Sequence, residues 1–198
     1  MADDETQIDN FKLHNCLAAG QHSQVWDATD TLSPRRVAMK LLKPDAAKDR
    51  KVVSVLRREC KLGASFEHPA ILKYYETVIG KDHKYFLMEL FRGSSLKAFM
   101  YSDLNAAHVR FKKIIESVAM ALEHIHQKGW VHKDIKPENI LVTKGSEVRL
   151  IDFSLTDACA QGFLAKLLKG KQAIQGTRTY MAPEQILGKP SGFGMDLY

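Results

Sequence analysis

The sequence predicts an α+β chain in two lobes, a β-rich lobe followed by a mainly helical one. Three observations predict it. Arg36-Val37-Ala38-Met39-Lys40-Leu41-Leu42 alternates with period two. Asn105 to Gln127 carries Val109, Ile115, Val118, Leu122 and Ile125 at helical spacing. Between them, Phe91-Arg92-Gly93-Ser94 looks like a connector.

The elements follow in order. Residues 11–43 are expected to be β-rich, with Val37, Met39 and Leu41 on one face and Ala38, Lys40 and Leu42 on the other. Pro44 ends that run. Lys51 to Phe66 is expected to be a helix, because Val55, Glu59, Leu62 and Phe66 fall on one face. An acid in an apolar stripe is costly unless paired, so either Glu59 meets a cation or the helix is rotated to expose it. His68-Pro69 breaks the helix, and two strands are expected near Ile71 to Val78 and Lys84 to Leu90. Gly129 is a natural stop after the long helix.

Composition sets the bounds. At about 150 residues per domain, 198 residues make one domain or two small lobes. With 45% hydrophobic and 26% charged residues, collagen-like, mucin-like, coiled-coil and disordered classes are excluded. No apolar run approaches the ~18 residues of a membrane span. Residues 1–10 hold four acids and no Lys or Arg, the reverse of a secretory signal, so the expected compartment is cytoplasmic. Cys16, Cys60 and Cys159 are odd in number, far apart and lack a C-x-x-C pattern, which argues against a disulfide framework or zinc knuckle. The net charge of +6 admits phosphate, nucleic acid and acidic substrates as partners.

Residues 132–152 carry the chemistry. His132-Lys133-Asp134-Ile135-Lys136-Pro137-Glu138-Asn139 is dense in polar groups, and Pro137 forbids a regular helix through it. Ile140-Leu141-Val142 and Val148 to Ile151 are expected to pair antiparallel around a turn at 143–147. Their open end then sets Asn139 beside Asp152, two hard oxygen ligands suited to magnesium with phosphate and water. Asp134 and Lys136 can point the same way, one accepting a proton while the other holds a phosphate.

His-Lys-Asp-Ile-Lys-Pro-Glu-Asn closely resembles the catalytic loop of protein kinases, and Lys136 gives it the serine/threonine form. Val37-Ala38-Met39-Lys40 resembles the third-strand lysine motif, and Asp152-Phe153-Ser154 the metal-binding Asp-Phe-Gly. Residues 176–184, ending in Ala182-Pro183-Glu184, resemble the end of the activation segment. The resemblance covers residues 11–198 and implies the bilobal protein-kinase-like fold, with an acidic tail at 1–10. It implies an N-lobe over about 11–90, a hinge over about 89–93 and a partial C-lobe over about 94–198.

It also implies roles. Lys40 would contact the α- and β-phosphates of ATP and pair with Glu59. Asp134 would take or orient the proton of the substrate hydroxyl, Lys136 would stabilise the transferring group, and Thr177 would brace both. Asn139 and Asp152 would hold Mg²⁺. Leu17, Gly20, Val25, Ala38 and Leu141 would surround the nucleotide, with Met88 behind the base and Glu89 to Phe91 offering backbone groups. The implied activity is transfer of the γ-phosphate of ATP to serine or threonine hydroxyls of a protein substrate.

The sequence departs from the family pattern at several places. Ala18-Ala19-Gly20-Gln21-His22-Ser23 keeps only the middle glycine of the phosphate-covering loop, where Cβ atoms are expected to restrict tight turns. Ser154 replaces a glycine and is expected to restrict flipping of its segment. Lys133 replaces an arginine. Gly63 replaces an apolar residue, so that either the helix packs less firmly or Tyr74 fills the space. Phe163 to Lys171 is a short basic amphipathic patch. No Ser, Thr or Tyr occurs over 157–176, and Ala173 stands where many kinases are phosphorylated, so activity is expected without phosphorylation there.

Alternatives stay open. A pseudokinase or truncated fragment would bind nucleotide or protein without transfer. Small-molecule phosphotransferases share the His-x-Asp…Asn logic, but Lys136 and Ala182-Pro183-Glu184 count against them. No nucleic-acid recognition motif accompanies the basic excess. Residues 194–198 resemble the start of the family's central C-lobe helix, with Asp196 matching the acid that braces the backbone at His132 and Lys133. By that pattern the chain is expected to stop about 60–80 residues short of a typical domain. Alone it is expected to form at best a stable N-terminal lobe with little or no transfer.

Overall fold

A computed structural model describes residues 7–160 and 176–198. The basic patch at 163–171 and Ala173 lie outside the described residues. The chain divides into two compact units, residues 1–65 with 72–91, and residues 66–71 with 92–198.

The first unit is an antiparallel sheet carrying one helix. Its strands are β1 (Gln7–Ile8), β2 (Phe11–Ala19), β3 (Ser23–Asp30), β4 (Arg36–Leu42), β5 (Tyr74–Ile79) and β6 (Lys84–Met88), in the order β1-β2-β3-β4-β6-β5. The alternation of β4 does what its period requires. Val37 and Met39 enter the core with Phe11, Ala28, Tyr85 and Leu87, and Leu41 packs against it. Residues 71–73, expected to extend β5, are not in that strand. Ile71 instead makes an isolated bridge with Leu150 in the second unit.

Helix α1 (Arg50–Gly63) starts where Asp49 accepts a hydrogen bond from the Lys51 N–H at 2.8 Å. It ends three residues earlier than expected, so the buried Phe66 lies beyond it. Its buried residues are Leu56, Glu59, Cys60, Leu62 and Gly63, so Glu59 and Leu62 face the core as expected while Val55, a turn before Glu59, is 45% exposed. Tyr74 occupies the space beside Gly63. A Cβ there would lie 2.5 Å from Tyr74 Cδ2, so no side chain larger than hydrogen fits. The Tyr74 ring is in turn packed on Phe86, centroids 5.3 Å apart.

The second unit contains β7 (Ser94–Ser95), α2 (Leu96–Ser102), α3 (Leu104–Gln127), β8 (Trp130–Val131), β9 (Ile140–Val142), β10 (Val148–Leu150), β11 (Asp157–Ala158) and α4 (Pro183–Ile186). Ser95 and Asp103 cap α2 and α3 by accepting from the N–H groups of Ala98 and Ala106. The core face of α3 is Ala107, Ile114, Val118, Ala121, Leu122 and Ile125. Val109, expected on that face, is 81% exposed because it lies on the opposite side of the helix from Ile114 and Val118, and Ile115, at the edge of the face two turns before the buried Leu122, is 44% exposed. Gly129 ends the helix at φ +79°. β9 and β10 pair antiparallel with Ile140 opposite Leu150, and the Ile151 N–H donates to the Asn139 carbonyl at 3.0 Å. That register puts Asn139 and Asp152 at the open end of the ribbon. Among the described residues, no helix is long and apolar enough to cross a membrane.

Gly63→Leu is expected to destabilise the chain by about 1–3 kcal/mol through overpacking against Tyr74. Adding Tyr74→Ala should recover most of that loss in urea unfolding. Additive losses in the double variant would contradict the packing account.

Candidate active site

In the first unit, β4 presents Lys40 to α1. The Lys40 ammonium donates to both Glu59 oxygens at 2.7 Å. The Glu59 side chain is 3% exposed, so of its two positions left open by the sequence the structure has the buried, paired one. A buried carboxylate on a helix face needs such a cation, which couples the orientation of α1 to β4. Ala38 is buried opposite Met88, and Val25 lies opposite Lys40. Leu17 is half exposed at 52%. The Glu89 N–H donates to the Lys73 carbonyl at 2.8 Å, which ties the start of the 89–91 segment to the chain before β5.

The turn between β2 and β3 is closed by the Gly20 N–H donating to Ser23 O at 2.8 Å. A Cβ on Gly20 would meet only an ordinary contact, 3.6 Å from that oxygen. None of residues 18–24 has a left-handed φ. The expected restriction from missing glycines therefore does not arise in this conformation.

In the second unit, the Asp134 carboxylate is the hub of a network. Its Oδ2 accepts from Lys136 Nζ at 2.5 Å and Asn139 Nδ2 at 2.9 Å. Its Oδ1 accepts from the Thr177 N–H and hydroxyl, each at 3.2 Å. Lys136 Nζ also donates to Thr177 Oγ1 at 2.7 Å. The second hydrogen of the Asn139 amide goes to the Asp134 carbonyl at 2.9 Å. Both amide hydrogens are thus spent on Asp134, leaving Oδ1 as the Asn139 atom able to face a cation. With the Asp152 carboxylate this is an oxygen donor pair that fits magnesium. Among the described residues, no cluster of three or more His, Cys, Asp or Glu forms a competing metal site.

Asp152 sits at φ +67°, a left-handed backbone that Asp tolerates better than most residues. Its Oδ1 accepts from the Ser154 N–H at 3.2 Å. Ser154 itself has an ordinary φ in this conformation; the left-handed position is Asp152, two residues earlier. Phe153 is fully buried, its ring 5.2 Å from both Phe66 and His132.

The loop carrying Asp134 is held from behind by Asp196. This buried carboxylate accepts from the His132 N–H at 2.8 Å, the Lys133 N–H at 2.7 Å and His126 Nε2 at 2.8 Å. Lys133 adopts φ +72°, which these bonds and a 3.0 Å bond from Gln185 Nε2 to its carbonyl secure. The Lys133 ammonium meets Asp157 at 3.5 Å. His126, Gln185 and Asp157 were not legible as support residues, because their partners are remote in sequence and none lies in a recognisable motif. Gly176, at φ +129° with a would-be Cβ only 3.0 Å from Gln185 Nε2, is needed as glycine to deliver Thr177.

Comparison with known proteins defines the family. Residues 11–198 match the protein kinase domain, and the chain belongs to the protein kinase family. A probable serine/threonine-protein kinase of Streptomyces coelicolor is 34% identical over 194 residues, covering 95% of this chain and 28% of that protein. Serine/threonine-protein kinase PknB of Mycolicibacterium smegmatis is 32% identical, covering 96% of this chain and 31% of that protein. Serine/threonine-protein kinase PknA of Mycobacterium tuberculosis is 31% identical, covering 95% and 44%. The chain thus spans less than half the length of each of these relatives.

His132 is fully buried, and burial holds its pKa below the ordinary 6.5. Its Nδ1 accepts from the Asp134 N–H at 3.3 Å while Nε2 lies 3.2 Å from the Ile151 carbonyl, an arrangement that suits the neutral ring protonated at Nε2. A depressed folded-state pKa contributes stability that is complete above about pH 6.5 and is lost as pH falls toward the lowered value. The His132 ring is therefore expected to stay neutral in NMR titrations through pH 6.5, with stability declining below it. A normal midpoint near 6.5 for His132 in the folded protein would falsify this assignment.

Proposed function

We propose that this chain carries the catalytic machinery of an ATP- and Mg²⁺-dependent serine/threonine protein kinase. The observation that carries the reading is the network joining Asp134, Lys136, Asn139 and Thr177 on one carboxylate. Phosphoryl transfer requires little covalent work from the protein, only alignment and neutralised charge.

On this reading the hydroxyl oxygen of a substrate serine or threonine bonds to the γ-phosphorus of ATP as the bond to the bridging oxygen of ADP breaks. Asp134 orients that hydroxyl and accepts its proton. Lys136 neutralises charge on the transferring group, and Thr177 keeps Asp134 and Lys136 in register. Lys40, steered by Glu59, holds the α- and β-phosphates. Asn139 and Asp152 would hold magnesium, which supplies positive charge to the phosphates when bound. Leu17, Gly20, Val25, Ala38, Met88, Glu89, Phe91 and Leu141 are the nucleotide-binding set, and residues 89–93 the hinge. Free thiols at Cys16, Cys60 and Cys159, together with the need for ATP, support a cytoplasmic setting. The Lys133 cation already facing Asp157 supports activity without phosphorylation in the segment before Thr177.

In a chain long enough to complete the fold, assayed for radiolabelled transfer to a generic serine/threonine substrate, Asp134→Asn is expected to lower transfer by about 10²–10⁴-fold while fluorescent ATP still binds. Lys40→Met is expected to impair both transfer and the magnesium dependence of nucleotide affinity. Parent-level transfer by both variants would sink the assignment. Thr177→Ser should retain most of the rate and Thr177→Val should not, because the hydroxyl and not the methyl bridges Lys136 to Asp134.

A further inference from the structure

Residues 66–71 belong to the second unit, although the chain on either side of them belongs to the first. The segment is tied to β10. The Leu150 N–H donates to the Ala70 carbonyl at 2.7 Å, and Ile71 bridges to Leu150. Phe66 adds a ring packed on Phe153, centroids 5.2 Å apart. The turn within the segment depends on His68. Its Nδ1 accepts from the Ala70 N–H at 3.1 Å, and its carbonyl accepts from the Ile71 N–H at 3.0 Å. An accepting Nδ1 requires a neutral ring with its proton on Nε2. A proton added at Nδ1 would set one N–H against another and abolish the bond to Ala70.

A second histidine faces the first. The His68 and His124 rings lie 5.5 Å apart at 34°. His124 stands on α3, and its Nε2 is shielded from solvent with no hydrogen-bond partner. A buried ring nitrogen without a partner is costly, and a buried charge there would cost more. Burial, and then the neighbouring His124 ring, hold the pKa of His68 below the ordinary 6.5. The other charged groups nearby point elsewhere. Glu67 on the same segment and Lys128 on α3 are exposed, and Glu123 on α3 accepts from Gln127. His126 bonds Asp196, and Arg149 on β10 donates to the Val148 carbonyl. Among the described residues, neither ring of the pair meets a carboxylate.

We propose that His68 and His124 form a proton-operated latch, which holds residues 66–71 on β10 while both rings are neutral and releases them when the pair is protonated. The proton adds to His68 Nδ1 and takes the lone pair that Ala70 uses. The imidazolium then turns to water, and with it goes the turn that presents the Ala70 carbonyl to Leu150. A metal ion does not suit the pair, because a neutral His68 has no lone pair left once Nδ1 serves Ala70. The sign follows from the depressed pKa of His68. Docking is complete above about pH 6.5 and is lost as pH falls through the lowered value. The effect reaches the site, since Leu150 lies two residues before Asp152 and Phe66 packs on Phe153. The latch stands apart from the phosphoryl-transfer reading, and only its effect on transfer rests on that reading.

The test uses a chain long enough to complete the fold, without nucleotide. NMR follows the ring nitrogens of His68 and His124 and the exchange protection of the Leu150 N–H, which reports its bond to Ala70. Two rings this close should titrate in separate steps, with His68 below its ordinary midpoint. His68→Asn keeps an acceptor for the N–H two residues on but cannot take up a proton. Between about pH 7.5 and about pH 5.0, Leu150 protection is expected to fall at least about tenfold further in the parent than in His68→Asn. His132 titrates in both chains, so its contribution cancels in that comparison. His68→Leu, which offers no acceptor, should be loosened at both ends of the range. Equal falls in the parent and His68→Asn, a joint midpoint near 6.5 for both rings, or parent-like protection in His68→Leu would each overturn the proposal. Should His68→Asn fail to fold, the parent decides, because a loss of Leu150 protection that does not track His68 protonation refutes the latch. None of these readings needs transfer. An inactive chain whose Leu150 protection follows His68 leaves the latch standing, and an active chain without that dependence refutes the latch alone.

Discussion

One buried carboxylate, Asp196, sets the geometry on which the second unit's chemistry depends. It gathers two successive backbone N–H groups and a histidine ring nitrogen. Two adjacent N–H groups converge on one carboxylate only if the chain bends sharply, and Lys133 bends by taking a left-handed φ. The next residue is Asp134. Its side chain is delivered to Lys136, Asn139 and Thr177 because the backbone before it has no freedom left. Leaving two buried N–H groups unsatisfied would cost about 1–3 kcal/mol each, comparable with the cost of the strained φ, so the bonds can hold the strain.

The same logic recurs with different groups. Asp152 is strained and caps its own turn through Ser154. Gly176 supplies a conformation that a Cβ would forbid and so sets Thr177 against Asp134. In the first unit the constraint is charge, not backbone shape. Glu59 has no solvent, so the position of α1 follows from where Lys40 stands on β4. Reacting groups sit where strain or burial has been compensated locally, which is how a folded chain keeps them within a narrow geometry.

Much of this was legible in the sequence, for identifiable reasons. The alternation of Val37, Met39 and Leu41 and the pairing of β9 with β10 are short-range patterns with one physical solution. Asn139 and Asp152 came with that pairing, and Asp134, Lys136 and Thr177 with motifs of fixed spacing. What escaped was phase and distance. Val109 lies off the core face of α3, and Val55 and Ile115 are exposed although Leu62 and Leu122, two turns further along the same lines, are buried, because hydrophobic identity alone does not say how far along a helix the core reaches. The left-handed backbone at Asp152, two residues before Ser154, was also not legible, because nothing in the motif distinguishes that position from its neighbours. His126 and Gln185 act across 70 and 52 residues of chain, and nothing local distinguishes them from surface polar residues.

The complementarity of Gly63 and Tyr74 also constrains how this protein can change over generations. The helix position has no room for a methyl group while the ring remains, and the ring has a place only because the helix position is bare. A larger residue at 63 can become established only after Tyr74 has shrunk. A smaller residue at 74 opens a void until 63 has grown. Each order passes through an intermediate that is overfilled or hollow, and the hollow route resembles a large-to-small core substitution costing about 3–5 kcal/mol for an aromatic side chain. The two positions therefore form a ratchet. A lineage that acquires this exchange of sizes tends to keep it, and the wall of α1 that carries Glu59 becomes a durable mark of descent.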